Sequence, residues 1–142
     1  ENYSYKLKKG KISCGILSEE GIEAEVIDPI SLVPLDIKTI YDSASKTGAL
    51  LVVDNAWTNC GASSEILAQI SEMSDGGIAQ LKRMGYAPTT CPTTPALEEV
   101  FYPNPGTIAQ TAYRMLGKQN AIWEPDPERA KLTYQTEFRG PF

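Results

Sequence analysis

The sequence predicts an α/β fold with parallel strands, and three observations carry that prediction. Ala49 to Val53 is an unbroken apolar run bounded by Gly48 and by Asp54-Asn55, the pattern of a strand buried on both faces of a parallel sheet. After the polar loop Asp54 to Gly61 the period changes: Ala62, Ile66, Ile70 and Met73 fall on one face of a helix. A second amphipathic segment, residues 36–47, precedes the run, so the order strand, helix, strand, helix implies parallel strands joined by right-handed crossovers.

Each element has a local reason. Glu1 to Lys11 holds four Lys and no apolar period, and reads as a polar lead-in. Ile12 to Glu20 reads as the last turns of a helix that stops at Gly21. Ile22 to Ile27, IEAEVI, alternates apolar and acidic residues and predicts a strand. Asp28-Pro29 closes it, and Pro34 blocks an early helix start. Asp36 is the expected N-cap of the next helix, with Ile37, Ile40, Tyr41 and Ala44 as its apolar stripe. Lys46 suits its negative C-terminal end and Gly48 stops it.

Downstream, Ser74 to Gly77 predicts a turn and Ile78 to Met84 a strand with mixed faces. Gly85 to Thr94 is a Pro- and Thr-rich loop. Thr94 then caps, and Pro95 opens, a short helix to Phe101. A last helix runs from Pro105 to Leu116, with Ile108, Ala112, Met115 and Leu116 inward and Gly117 as its stop. Lys118 to Phe142 reads as an extended tail outside the core. The domain itself is therefore expected over 12–117, between a lead-in over 1–11 and a tail over 118–142.

Composition narrows function. With 142 residues, one domain with a real core is the default. A net charge of −5 argues against nucleic acid or an anionic membrane surface as partner. No apolar run reaches the ~20 residues of a membrane span, so the expected setting is cytoplasmic, or the mitochondrial matrix in a eukaryote. Glu1 in place of Met suggests a processed chain or a piece of a longer one. His is absent, which removes Ser-His-Asp and Cys-His catalysis and the commonest metal ligand. Cys14, Cys60 and Cys91 lack metal or disulfide spacing and read as free thiols.

Candidate chemistry concentrates at the carboxyl end of the Ala49 strand, where open α/β sheets bind ligands. Asp54, Asn55, Trp57, Asn59, Gly61, Ser64 and Glu65 form this candidate interface or ligand loop. One reading is contact with an anion through the backbone amides of Gly61 to Ser64 at a helix start. The other, which we favour, is a structural turn that buries Trp57 against a neighbouring subunit, since exposed aromatics more often mark interfaces. Ser63 and Ser64 have no base in sight. Glu19-Glu20 and Glu98-Glu99 are neighbours that face different ways on a helix and are poor acid/base partners. No phosphate-binding glycine motif is present. No catalytic, cofactor-binding or metal-ligating set is therefore assigned.

Residues 22–72 nevertheless resemble a known family. Val26-Ile27-Asp28, Pro34-Leu35-Asp36, Lys46-Thr47-Gly48, Asp54 to Trp57 and the Gly61/Glu65 spacing follow one another. Lys82-Arg83, Ala87 to Pro92, Pro95 to Glu98 and Phe101 to Asn104 continue the match. Together they look like the C-terminal domain of the β chain of thiamine diphosphate-dependent 2-oxo acid dehydrogenases, a domain shared with transketolase. The family carries a strand and most of a helix ahead of the Ile12 position, where a lysine-rich stretch stands here.

That resemblance implies a three-layer αβα sandwich with a mostly parallel sheet, serving as a non-catalytic assembly and subunit-interface domain. Thiamine diphosphate and Mg would belong to the parent enzyme, held by other domains and not by these residues. The parent would be a homodimer or an α/β heterotetramer that also engages an acyltransferase component. The alternatives are the same domain of a transketolase or deoxyxylulose-phosphate synthase-like transferase, or a free-standing anion-binding α/β module.

Overall fold

The computed structural model describes residues 3–117 and 123–128, and at residues 3–8 and 95 the backbone alone. Its elements in chain order are α1 (Tyr3–Glu19), α2 (Ile37–Thr47), β1 (Ala49–Val53), α3 (Ala62–Ser74), β2 (Gln80–Met84), α4 (Pro95–Phe101) and α5 (Pro105–Met115). They divide into two compact units. One runs from Ile27 to Pro103; the other joins the chain up to Val26 with the chain from Asn104 onward. None of the described helices is long and apolar enough to cross a membrane.

The Ile27–Pro103 unit holds the sheet. β1 and β2 pair in parallel with Ala49 opposite Gln80 and Val53 opposite Met84, which is the α/β class the sequence predicts. Asp36 caps α2: its carboxylate accepts from the Thr39 amide at 3.1 Å and the Thr39 hydroxyl at 2.7 Å. At the other end Gly48 takes φ +73 and donates to the Ala44 carbonyl at 2.8 Å, a left-handed stop that glycine adopts without a Cβ penalty. The core comes from Ile40 and Ala44 of α2, Ile66 and Ile70 of α3, and Ile78. Leu50, Val52 and Leu81 pack against it from the sheet. Leu50 and Val52 are two apart on one strand, so they share a face, and both helices pack with it.

The other unit is a helix pair. Ile16 and Leu17 of α1 meet Ala109 and Tyr113 of α5, with Ile22 closing the cluster and Ile12 and Ala112 at its margin. Ser13 is buried and satisfied: its hydroxyl donates to the Lys9 carbonyl at 2.8 Å and the Pro105 carbonyl at 3.0 Å. Burial also lowers the Lys9 ammonium to about 8. α1 ends as expected at Gly21 (φ +71), where the Gly21 amide reaches the Ser18 carbonyl and the Ile22 amide the Leu17 carbonyl. Those two bonds and the buried Ile22 make a Schellman stop. On α5, the Asn104 side chain accepts from the Thr107 amide while the Thr107 hydroxyl accepts from the Asn104 amide.

Several expectations change. Tyr3–Lys11 is helical, not a lead-in; Lys and Leu are good helix formers, and lengthening a packed helix needs no new nucleus. Ile22–Ile27 has no ladder partner among the described residues. Its apolar residues serve elsewhere: Ile22 completes the α1 stop, and a Val26 methyl lies 3.0 Å from where a Gly10 Cβ would be. β1 is half-buried throughout, not buried on both faces, since a single neighbouring strand is described. Met73 and Leu116 are exposed; on α5 the inward face shifts to Ile108, Ala109, Tyr113 and Met115. Trp123, within the expected tail, stacks on Tyr113 with centroids 4.6 Å apart. Most of the remainder of that tail lies outside the described residues.

Two outcomes test this packing. Ile70 is fully buried whereas Met73 is 43% exposed, so Ile70→Ala should cost about 2–5 kcal/mol in urea unfolding and Met73→Ala less than about 1 kcal/mol. The Thr39 hydroxyl, then the Thr39 amide, hold the Asp36 carboxyl below its ordinary value against an opposing desolvation effect, with a lesser contribution from the Lys38 charge. A depressed carboxyl stabilises above its unfolded pKa of about 4 and loses that contribution as pH falls through the folded value. Wild type should therefore exceed Asp36→Asn in stability at neutral pH, with the gap closing below about pH 4 when unfolding is followed across pH.

Candidate functional site

The loop after β1 is built by close backbone approaches. The Asp54 amide donates to the Met84 carbonyl at 2.9 Å, extending the parallel ladder by one step. The Tyr86 amide then donates to the Ala56 carbonyl, also at 2.9 Å. Cβ atoms placed on Gly85 and Gly61 would lie 2.4 Å from the carbonyl oxygens of Ala56 and Trp57 respectively. Both positions therefore require glycine. Immediately before Gly61, Cys60 turns the chain at φ +59.

The start of α3 is latched to this loop. The Ser64 hydroxyl donates to the Thr58 carbonyl at 2.9 Å and accepts from the Arg83 guanidinium. Neither partner is a base, so Ser64 is not an activated nucleophile. Ser63 is buried, and its hydroxyl has no partner among the described residues. Glu65 is exposed and accepts from the Gln69 amide at 2.8 Å within its own helix. Asp54 and Asn55 are half-buried, and Asn59 is exposed. The seven candidate residues thus lie along one loop and one helix start, but their polar groups do not converge on a common point through the bonds described.

Trp57 does converge with other residues. It stands 47% exposed, its ring edge-on to Tyr86 (centroids 5.8 Å) and Phe101 (5.9 Å). Tyr86 and Phe101 stack at 4.9 Å, and Tyr102 meets both edge-on. The Ala87 amide, donating to the Phe101 carbonyl at 3.0 Å, ties the Pro- and Thr-rich loop to α4. Cys91 Sγ lies 3.5 Å from the Tyr102 hydroxyl. That contact first, then desolvation and the neighbouring acidic groups, raise the Tyr102 hydroxyl to about 12, so it stays protonated at neutral pH.

The sequence reading singled out Trp57 and missed Tyr86, Phe101, Tyr102, Gly85 and Arg83 as its setting. The available signal was the clustering of aromatics just after β2 and at the end of α4. Cys14, Cys60 and Cys91 are free thiols. Among the described residues no three Cys, Asp or Glu side chains assemble as a metal-binding group. The arrangement is a half-exposed indole on an aromatic base.

Gly61→Ala and Gly85→Ala should each displace the loop, reducing the near-ultraviolet circular dichroism of the aromatic group and costing about 1–3 kcal/mol of stability. Gly48→Ala is the control, since space around Gly48 is open; it should cost about 1 kcal/mol and leave that signal intact.

Comparison with known proteins follows the same span. The model of the transketolase C-terminal domain matches residues 13–108. The β subunit of an acetoin:2,6-dichlorophenolindophenol oxidoreductase from Bacillus subtilis is 39% identical over 103 residues, covering 72% of this chain and 30% of that protein. Its counterpart from Cupriavidus necator is 33% identical over 115 residues, covering 80% and 34%. The pyruvate dehydrogenase E1 component β subunit of Bacillus subtilis is 35% identical over 101 residues, covering 70% and 31%. The chain spans about a third of the length of these relatives. With two helices beside a parallel strand pair and a family match over 13–108, the chain belongs to the transketolase C-terminal domain family.

Proposed function

We propose that this chain is the C-terminal assembly domain of the β subunit of a thiamine diphosphate-dependent 2-oxo acid dehydrogenase, with residues 12–117 as its body. The parent enzyme decarboxylates a 2-oxo acid and passes the acyl group to a lipoyl carrier. This domain contributes subunit contact and no catalytic residue. The observation that carries the reading is Trp57, half-exposed on its aromatic base at the carboxyl ends of both strands, in a loop latched to α3 by the Ser64 hydroxyl, which has no base beside it. Asp54, Asn55, Asn59, Gly61, Ser64 and Glu65 frame that contact.

Thiamine diphosphate and Mg fit poorly among the described residues. No metal-binding group assembles there, and the Trp57 carbonyl occupies the position from which an N-cap side chain of α3 would extend. We therefore assign the cofactor to other parts of the parent and route no step through this domain. The Ser64 amide already donates to the Gly61 carbonyl at 2.9 Å, which weakens support for a free-standing anion-binding module, since an anion at a helix start needs open amides. The proposed partners are a second copy or an α chain in a heterotetramer, and the acyltransferase component. The proposed compartment is the cytoplasm, or the mitochondrial matrix in a eukaryote.

The acetoin relatives at 39% and 33% identity favour a second reading of the substrate, with acetoin in place of a 2-oxo acid. Assays of the full-length parent on acetoin and on pyruvate separate the two. Neither observation favours the transketolase-type alternative.

Sedimentation across a concentration series tests the interface. Self-association is expected, and Trp57→Ala should raise the dimer Kd about tenfold or more. Trp57→Phe keeps an aromatic ring and should lose less. A dimer unaffected by Trp57→Ala, with the fold intact by circular dichroism, would remove this loop from the interface. Decarboxylation of a 2-oxo acid by these 142 residues with added thiamine diphosphate would overturn the non-catalytic assignment.

A further inference from the structure

No further inference is drawn: the strongest candidate, the open apolar groove of about 400 Å³ between the Pro- and Thr-rich loop and α4, lined by Leu97, Val100 and Phe101 with Cys91 beside them, is an unpartnered face, and nothing among the described residues shows what covers it.

Discussion

The carbonyl oxygens of Ala56 and Trp57 lie too close for two β-carbons, each 2.4 Å from the place a side chain on Gly85 or Gly61 would begin. This pair of approaches fixes the loop after β1 from both sides. Gly85 immediately follows β2 and Gly61 is the N-cap of α3, so the loop is held by two regular elements. Its conformation therefore depends on the parallel register that brings Val53 beside Met84. A one-residue slip would move the Asp54 amide off the Met84 carbonyl and turn every β1 side chain to the opposite face.

The register is held in turn by burial. Leu50, Val52 and Leu81 meet Ile66 and Ile70 of α3, and Ile40 and Ala44 of α2, in one cluster. Ile70, with no exposed surface, sits where each neighbouring element contributes to its cover. Dispersion and burial at such a position act on several elements at once, so their loss is felt beyond one helix. Asp36 and Gly48 add local certainty at the ends of α2, and the strand begins at the next residue, Ala49. The chain is thereby delivered to the strand pair in a single conformation.

How much of this was legible follows from the range of each interaction. Gly21, Asp36, Gly48, Pro105 and Gly117 act within a few residues of themselves, and the helix limits they set are close to those observed. β1 was legible because its apolar run is short and sharply bounded. The strand expected at Ile22–Ile27 failed because alternation records which residues want cover, not which neighbour supplies it. Ile22 found its cover on α1 and α5. The helix over Tyr3–Lys11 was hidden because the polar composition of that stretch resembles that of a linker. At the site, Trp57 was visible as a misplaced aromatic, while Tyr86, Phe101 and Tyr102 lie 29, 44 and 45 residues further on. No local pattern joins them; the end of a parallel strand and the end of α4 do.

Those rings also shape the region at the carboxyl ends of the two strands. The crevice beyond the carboxyl ends of parallel strands is open by topology, since the chain leaves each strand there and turns away. In this domain Tyr86 and Phe101 stack in that region, Tyr102 closes one side and Trp57 another, at centroid spacings of 4.9–5.9 Å. These are stacked and edge-on ring contacts, with Trp57 left 47% exposed. Two polar side chains nearby are engaged in structure: Ser64 with Thr58 and Arg83, and Tyr102 with Cys91. The proposed subunit contact rests on this aromatic base with its half-exposed indole, where little side-chain freedom is lost when a contact forms.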